Sequence, residues 1–469
     1  MSPGSRYAAT TAEGVPNGGV SFWYEQTGLP APRAPLPGDR DADVCIVGGG
    51  LTGLWTAYYL KRAQPDLDVV VLEREFCGYG ASGRNGGWLS AEVAAPARTY
   101  LRSHGEAGVQ ALHAQMRAAV DEVLAVLREE GVDADVQQDG ILFVARSRAQ
   151  RERLAAQAEQ ERRWGAQVRE LDAEQTAERI RVSGVLAGLH VAEAARVQPA
   201  RLVQGVAAAV ERLGVRLHER TTVTSVRPGA AVTDRGTVRA PHVLRCLEGF
   251  SSGLPGERRS WLPMNSAMVV TAPLPDEVRT QVGWPGAELL GDSAHAYVYG
   301  QRTADDRIAL GGRGVPYRFG SRTDVHGRTQ PATVRALTAL LHDFFPAVRE
   351  VPLAHAWCGV LGVPRDWSPT VHLDRQTGLG WAGGYVGSGL TTTNLAGRTL
   401  RDLVLGRDTE LTRLPWTGRQ VRRWEPEPLR WLGVHALYAL YREADRREAR
   451  GLGRTSRLAR AADLVSGRS

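Results

Sequence analysis

The sequence has almost no lysine. Among the 58 basic residues of this 469-residue chain, Lys61 is the only lysine and all the others are arginines. The arginines are scattered and form neither basic blocks nor a stripe with interleaved aromatic residues, which are the usual signs of a nucleic-acid surface. In spite of the net charge of +7, the sequence therefore predicts no nucleic-acid partner.

Cysteine is also scarce, and long apolar runs are missing. The four cysteines, Cys45, Cys77, Cys246 and Cys358, form no CxxC pair, so the sequence predicts neither a metal site nor a disulfide framework. No stretch reaches the roughly 18 continuous apolar residues of a membrane span, and no secretory leader pattern is present. We therefore expect a cytoplasmic protein without a membrane span.

A dinucleotide-binding pattern stands near the start of the chain, in "DVCIVGGGLTGLWTAYYL". The apolar run 44–47 predicts a buried parallel strand, and the pattern over 51–63 predicts the helix that follows it. Gly48, Gly50 and Gly53 then fall on the turn between them with GxGxxG spacing. These glycines would allow the tight turn, the approach of a pyrophosphate and the close packing of helix on strand.

A second apolar run, "VVVLE", predicts another buried strand that ends in an acid. Glu73 follows Gly53 by twenty residues, where a carboxylate accepts the ribose hydroxyls of a dinucleotide. The order strand, turn, helix, strand and acid predicts an α/β fold with a dinucleotide site. The spacing alone leaves both nicotinamide and flavin dinucleotides open.

The next segment favours a flavin. A nicotinamide dehydrogenase usually continues into another βαβ unit, whereas "CGYGASGRNGGWLS", residues 77–90, predicts a flexible loop rich in hydrogen-bond donors. A second dinucleotide fold is missing, because "GGYVGSG" precedes a helix but no second strand with an acid. We therefore expect the electrons to come from the organic substrate itself.

Three motifs together resemble a known family. "GGGLTGLWTAYYL", "GYGASGRNGG" and "GWAGGYVGSGLTTTNLAGRTLRDLVLG" are similar to the FAD-dependent amine and amino-acid oxidases typified by D-amino-acid, glycine and sarcosine oxidases. The branch that they resemble best is that of the gamma-glutamylputrescine oxidases. The resemblance extends over roughly residues 20 to 450 and includes "WEPEPLRWLG". It is specific for fold and cofactor but not for the amine, because this fold serves many amine donors.

The resemblance implies an α/β fold, with a Rossmann-like FAD-binding domain and a discontinuous mixed-sheet substrate domain. The expected segments are an N-terminal arm 1–40, FAD-binding pieces 41–90, 190–260 and 365–410, substrate-domain pieces 91–189 and 261–364, and a C-terminal helical tail 411–469. The aromatic "SFWYEQ" of the arm should dock on an apolar surface.

The resemblance also implies which residues hold FAD. The loop from Ser82 to Gly87 would wrap the pyrophosphate and one edge of the isoalloxazine, and Arg84 would offset negative charge there. The turn before the helix near Asn394 would donate backbone N–H groups near N1 and O2 of the ring. Val223 either holds the adenine or is an ordinary core residue. The full set expected at the cofactor is Gly48, Gly50, Leu51, Thr52, Gly53, Glu73, Arg74, Ala81, Ser82, Arg84, Asn85, Gly86, Gly87, Trp88, Val223, Cys358, Gly384, Gly387, Ser388, Gly389, Leu390 and Thr391.

Cys358 belongs to this set through one feature of the resemblance. It precedes Pro364 by six residues, at the position where sarcosine oxidases bond FAD through a cysteine thioether. One hypothesis is therefore a covalent bond from Cys358 to the flavin. The alternative is an inert buried cysteine, which is a common core residue.

The secondary structure of the remaining chain follows from periodicity. Residues 104–130 and 147–180 predict long charged helices, and "GILFVAR" predicts a strand. Pro199 to Leu213 predicts a helix, with short strands at "GVRLHE" and "TTVTSV" after it. "AYVYGQRTADDRIALGGRG" predicts a hairpin with a polar turn at 304–306. The tail from Tyr441 predicts one or two amphipathic helices.

Catalytic groups are less clearly marked. The sarcosine-oxidase branch uses lysines near flavin and substrate, and Lys61, in the first helix, fills neither role, so cationic help would come from Arg302, Arg313 or His295. An aromatic wall would hold a neutral amine, and Asp292 would meet a second, cationic group. The candidates for this wall are Tyr297, Tyr299, Trp88, Trp357 and Tyr385, which are otherwise core residues.

We therefore expect an FAD-dependent enzyme that oxidises the CH–NH bond of a small amine to an imine, with oxygen as acceptor and hydrogen peroxide as product. One alternative is a dehydrogenase that passes electrons to a quinone or carrier. Another is a biosynthetic oxidase that acts on the amino group of a secondary metabolite, such as an amino sugar. An alternative of a different class is a flavin-binding protein without turnover. The sequence does not give the oligomeric state.

Overall fold

The computed structural model describes residue 7 and residues 9–11, 14–312 and 317–466. Its strands, in chain order, are β1 Arg40–Asp41, β2 Val44–Val47, β3 Val69–Leu72, β4 Trp88–Ser90, β5 Ile141–Ala145, β6 Val168–Asp172, β7 Ala187–Val191, β8 Ala194–Arg196, β9 Arg216–His218, β10 Val223–Arg227, β11 Ala230–Thr233, β12 Thr237–Arg239, β13 His242–Arg245, β14 Leu262–Thr271, β15 Leu289–Asp292, β16 Val298–Arg302, β17 Ile308–Gly312, β18 Leu353–Val363, β19 Thr370–Leu373 and β20 Leu379–Gly383.

The helices pack against the faces of the sheets. In chain order they are α1 Phe22–Thr27, α2 Leu51–Ala63, α3 Ala97–Glu129, α4 Arg148–Arg163, α5 Ala173–Arg179, α6 Pro199–Arg212, α7 Asp276–Val282, α8 Pro331–Phe344, α9 Gly389–Val404, α10 Leu429–Ala449 and α11 Arg457–Ser466. Within the part of the chain that the structure describes, none of them combines the length and the apolar character needed to cross a membrane.

A six-stranded sheet, in the order β19-β20-β13-β2-β3-β9, carries the predicted dinucleotide motif. Its strands are parallel from β20 to β9, and only β19 is antiparallel. Every residue of β2 and β3 is buried, because helices α2, α6 and α9 pack on one face of the sheet and strands β11 and β12 pack on the other. The predicted strands at 44–47 and at "VVVLE" and the predicted helix at 51–63 are confirmed.

An eight-stranded mixed sheet, in the order β18-β14-β17-β16-β15-β5-β7-β6, forms the second large layer. One edge of it is the long pair β18 and β14, which are antiparallel along their whole length. The predicted hairpin is confirmed as β16 and β17, and "GILFVAR" is confirmed as β5. Two smaller sheets, β1-β12-β11-β10 and β4-β8, complete the strands.

Both ends of the described chain are anchored. Phe22, Trp23 and Tyr24 of α1 are buried, and they pack with Trp357 of β18, so the predicted docking of "SFWYEQ" is confirmed. At the other end, α10 and α11 pack together through Tyr441 and neighbouring small residues. The expected tail is therefore two helices, as predicted.

One predicted helix is wrong. Residues 147–180 form α4, then the strand β6, then the short helix α5. Gly165 has φ of 86°, which ends the first helix, and Asp172 starts the second with a capping box to Gln175. The uniformly charged sequence concealed these two boundaries. The helix predicted over 104–130 lies within α3, and the one predicted at Pro199 is α6.

Candidate functional site

One large cavity, of about 1020 Å³, lies where the two large sheets face each other. On one side it is lined by residues at the carboxyl ends of β2, β3 and β13, which is where open α/β sheets bind ligands. On the other side it is lined by residues of β5, β14, β16 and β18. The dinucleotide motif and the aromatic residues of the second sheet therefore share one cavity.

The glycine turn after β2 has no room for side chains. Gly48 has φ of 114°, and a Cβ there would lie 2.5 Å from the carbonyl oxygen of Cys246. A Cβ on Gly53 would lie 2.1 Å from the carbonyl oxygen of Gly48. Gly48, Gly50, Leu51 and Thr52 line the cavity, so the N-terminus of α2 and its partial positive charge face it.

Glu73, at the end of β3, lies against this turn. Its carboxylate accepts hydrogen bonds from the backbone N–H groups of Gly49 and Glu75, each at 2.9 Å. Burial raises the pKa of this carboxyl. Arg74 beside it lines the cavity with its guanidinium over the ring of Phe250, 5.6 Å from the centroid. Val223, at the start of β10, lines the same end of the cavity.

The loop 81–88 crosses from the first sheet to the second along the cavity. The Ser82 hydroxyl accepts the N–H of Leu51 at 2.9 Å, which joins the loop to the N-terminus of α2. Asn85 stiffens the loop by accepting the Gly87 N–H at 2.8 Å. A Cβ on Gly86 would lie 2.9 Å from the Tyr299 ring. The residues of this loop that line the cavity are Ala81, Ser82, Arg84, Asn85, Gly86 and Trp88, whereas Gly87 packs against Gln301 and Val197.

Arg84 is a buried cation at this cavity. It is 1% exposed, its Nε donates to the carbonyl oxygen of Tyr79 at 2.7 Å, and its Nη1 reaches the carbonyl oxygen of Cys358 at 3.4 Å. Its guanidinium carbon lies 4.3 Å from the centroid of the Tyr79 ring. Within the described residues, Nη2 has no hydrogen-bond partner and no carboxylate pairs with this guanidinium. A buried charge without a counter-ion is costly, so an anion in the cavity would stabilise it.

The turn before α9 lines the cavity opposite this loop. Gly387, Ser388, Gly389 and Leu390 lie on the wall, so the N-terminus of α9 faces inward. Gly384 is held against Pro364, where a Cβ would lie 2.4 Å from the ring. The expected Thr391 is buried one residue further along the helix, and its hydroxyl oxygen has no hydrogen-bond partner among the residues that the structure describes.

Glu248, which sequence reasoning missed, holds that turn. It follows β13 and accepts the backbone N–H groups of Gly362, Gly384 and Tyr385 at 3.1, 2.7 and 3.1 Å. Burial raises the pKa of Glu248 to about 7. The available signal was its position just past a buried strand, which is a common place for functional side chains in parallel sheets.

Aromatic residues line the other end of the cavity. Trp88, Phe143, Tyr297 and Tyr299 lie on the wall, and the Tyr299 hydroxyl is 2.9 Å from the Ser266 hydroxyl. Tyr385 also lines the cavity, but its hydroxyl is turned toward α2, 3.1 Å from Thr52 Oγ1.

Two carboxyls stand at this aromatic end. Glu92, also missed from sequence, lines the cavity, and burial together with the nearby Glu161 raises its pKa to about 7. Asp292 ends β15, and its Oδ1 accepts the N–H of Val298 at 2.9 Å. Burial raises the pKa of Asp292 to about 7, in part against the lowering effect of that hydrogen bond. Both carboxyls are therefore able to exchange a proton near neutral pH.

The loop that carries His295 is held by the C-terminal helices. Asp445 accepts the backbone N–H groups of His295 and Ala296 at 2.9 and 3.0 Å. Glu448 accepts His295 Nε2 at 2.9 Å and pairs with Arg153 at 2.8 Å. The cluster of His295, Asp445 and Glu448 resembles a metal-binding set, but these contacts already occupy its ligand atoms. His295 therefore positions the cavity wall and does not offer a free cation.

The structure corrects three candidates. Arg302 does not reach the cavity wall, because it pairs with Asp306 of the hairpin turn and donates to two carbonyl oxygens, of Pro285 and Gly286. Trp357 is a core residue whose Nε1 donates to the carbonyl oxygen of Arg84 at 2.9 Å. Arg313 lies outside the described residues.

Cys358 is the third correction. Its thiol donates to Asp324 at 3.1 Å and packs in the core beneath the sheet, away from the cavity. Burial raises the pKa of this thiol well above its usual value. The sequence spacing to Pro364 gave no information on which side of β18 the sulfur lies.

Comparisons with known proteins agree with this geometry. Residues 43–403 match a family described as FAD dependent oxidoreductase. A probable oxidoreductase OrdL from Rhizobium meliloti is 28% identical over 397 residues, which cover 83% of this chain and 89% of that protein. The gamma-glutamylputrescine oxidoreductase of Escherichia coli is 28% identical over 82% of this chain and 89% of its own length. The crystal structure of glycine oxidase from Geobacillus kaustophilus superposes with a TM-score of 0.67 at 20% identity, over 81% of this chain and 99% of that one.

Proposed function

This chain belongs to the family of FAD dependent oxidoreductases, and from that premise we propose that it oxidises a CH–NH bond of a small amine or amino-acid-like substrate to an imine. Family membership confirms the resemblance read from the motifs, the α/β fold class and the dependence on FAD. The observation that carries the proposal is the single cavity that joins the dinucleotide motif to the aromatic wall.

The residues on the cavity wall fit FAD. The glycine turn leaves the N-terminus of α2 open to a pyrophosphate, and a side chain on Gly48 or Gly53 would clash with backbone. Glu73 would accept the ribose hydroxyls, and Val223 would lie against the adenine. The unpaired Nη2 of Arg84 provides a buried cation for the negative charge that the cofactor brings.

FAD, when bound, supplies an acceptor for the hydride that leaves the carbon beside the substrate nitrogen. The protein's part is to bind, to orient and to exclude water. The N-terminus of α9, with Gly387 and Gly389, would face the pyrimidine edge of the ring, where its partial positive charge stabilises negative charge. Trp88, Tyr297 and Tyr299 would hold the apolar part of the amine.

The amine must be neutral before it loses a hydride, and this chain has groups that can accept the proton. The carboxylates of Glu92 and Asp292 line the cavity, and burial raises the pKa of each to about 7. We assign them as the acceptors of the proton that an ammonium substrate releases on binding. Removal of that proton and the hydride from the ammonium substrate leaves the protonated imine, which gives the imine on loss of one further proton.

We further propose oxygen as the electron acceptor, with hydrogen peroxide as product. Lys61 is remote from this chemistry, because it lies at the end of α2 and donates to the carbonyl oxygen of Leu67 at 3.0 Å. Arg84 is the buried cation available at the cavity wall instead. A relative absence of peroxide during turnover would favour a quinone or carrier protein as acceptor.

The test is an anaerobic screen of the FAD-loaded protein. Polyamines, gamma-glutamyl amines, D- and L-amino acids, glycine derivatives and amino sugars are added in turn, and the flavin band at roughly 450 nm is recorded. Bleaching by one class, with recovery and peroxide formation in air, supports the proposal. FAD binding without bleaching by any class would favour a non-catalytic flavin protein.

A further inference from the structure

Glu248 joins three separate segments of the chain at one carboxylate. Its Oε1 accepts the N–H groups of Gly362 in β18 and of Tyr385, both at 3.1 Å, and its Oε2 accepts the N–H of Gly384 at 2.7 Å. Glu248 itself lies shortly after β13, which ends at Arg245. The end of a parallel strand, the long strand of the second sheet and the turn before α9 are thereby tied together.

The turn that Glu248 holds is strained and faces the cavity. Val386 has φ of 56°, a left-handed conformation that a β-branched residue rarely adopts. Within the turn, the Ser388 N–H donates to the carbonyl oxygen of Tyr385 at 3.0 Å. Such a conformation persists only where its surroundings impose it, so the turn depends on contacts from outside.

We propose that Glu248 is a positioning residue that fixes the turn 384–388 against β18, and that this turn is released when the carboxylate takes up a proton. An ionised carboxylate has acceptor sites for all three N–H groups. When the carboxyl is protonated, one of its oxygens carries a hydrogen and becomes a donor. That oxygen then faces a backbone N–H, which is also a donor. One of the three hydrogen bonds is then lost, and the strained turn loses part of its support.

The surroundings of Glu248 make this protonation occur near neutral pH. Burial raises its pKa to about 7, and the three backbone hydrogen bonds offset that rise only in part. The titratable group that interacts with it is the Tyr385 hydroxyl, whose pKa burial raises, and the Cys246 thiol interacts in turn with Tyr385. Within the described residues, no arginine, histidine or lysine forms an ion pair with Glu248.

The direction of the pH dependence follows from the raised pKa of Glu248. Above about pH 7 the carboxylate is ionised and the turn is fixed, and as the pH falls through about 7 the proton binds and the turn loosens. Because Gly387, Ser388 and Gly389 line the cavity, a loosened turn also moves the N-terminus of α9. The loosening involves the protein's own backbone and is independent of the substrate that the cavity takes.

Amide hydrogen exchange tests it without any substrate. Exchange of the peptides that contain Gly362, Gly384 and Tyr385 is measured from about pH 5.5 to about pH 8.5, with and without FAD, and corrected for the chemical exchange rate. We expect protection of these amides to fall about tenfold or more below an apparent pKa of about 7, since a hydrogen bond to a charged acceptor is lost. Protection that does not change with pH in the wild-type protein would overturn the proposal.

Two variants sharpen the test. Glu248→Gln should show low protection in the turn at every pH, with no step near pH 7, because its amide nitrogen cannot accept an N–H. Glu257→Gln is the matched control, since Glu257 lies on the same connection but binds Arg245 at 2.7 Å and Ser260 at 2.6 Å. A pH step that survives in Glu248→Gln would also overturn the proposal. If this variant fails to fold, the wild-type profile alone decides.

Discussion

Replacement of Arg84 by methionine should weaken FAD binding without weakening the fold. Methionine retains an unbranched apolar side chain but removes the guanidinium, whose Nη2 has no partner among the described residues. In the FAD-free protein this charge is buried at 1% exposure with two carbonyl oxygens and the Tyr79 ring as its neighbours. The desolvation of a buried ion costs several kcal/mol, which these neutral partners repay only in part.

The expected magnitudes follow from those contacts. Loss of the hydrogen bond to the Tyr79 carbonyl costs about 1.5–3 kcal/mol, which the removal of an unpaired buried charge offsets. The FAD-free variant should therefore unfold at the same temperature as the wild type or higher. Loss of one charged hydrogen bond to FAD should raise the Kd about 10- to 150-fold, equivalent to about 1.5–3 kcal/mol.

Two measurements on the same samples check this prediction. Titration calorimetry of the FAD-free protein with FAD gives Kd, and thermal unfolding with and without FAD gives the stabilisation due to binding. Arg239→Met is the matched control, because Arg239 forms an exposed ion pair with Asp39 and should change neither quantity. An Arg84→Met variant that binds FAD within threefold of the wild type, or that is destabilised strongly without FAD, would refute the reasoning.

The remaining predictions concern the glycine turn after β2, the carboxylates of Glu92 and Asp292, and the thiol of Cys358. Gly53→Val should lose about 1–3 kcal/mol of stability and most of its bound FAD, because the new Cβ would lie 2.1 Å from the Gly48 carbonyl oxygen. A variant that retains FAD and has the melting temperature of the wild type would contradict this. Activity should fall as the pH drops through about 7, because Glu92 and Asp292 accept a proton only when they are ionised. Glu92→Gln should lower the rate above pH 7 and flatten the profile of rate against pH. An unchanged profile in this variant would remove Glu92 from the role of proton acceptor. Acid denaturation should release all the flavin into the supernatant, and Cys358→Ser should retain FAD, because the thiol faces Asp324; flavin that stays with the precipitate would contradict this.

The parts of the site that sequence reasoning located are those with local constraints. The turn at Gly53 follows from its steric limit against Gly48, which is close to it in sequence, and the buried strands on either side follow from their apolar runs. The hairpin β16–β17 could be predicted from the sequence because its polar turn separates two apolar strands. In each case the residues that explain the structure lie close together in the chain.

The parts that sequence reasoning missed depend on contacts between distant segments. Glu248 binds N–H groups more than 110 residues away, and nothing near it in sequence shows that partner set. Glu92 is one acid among many until its burial at the cavity is known. Arg302 could have been excluded, because Asp306 follows it by four residues within the predicted turn and offers a local ion pair.

If electrons leave the carbon beside the substrate nitrogen, deuterium on that carbon should slow the reduction of the flavin in a single-turnover experiment. An amine that bleaches the flavin is prepared with deuterium on that carbon, and the anaerobic rate of bleaching is compared with that of the ordinary amine. We expect slower bleaching with deuterium and one imine-derived carbonyl product for each flavin reduced. Bleaching without such a product, or no bleaching by any amine, would contradict it.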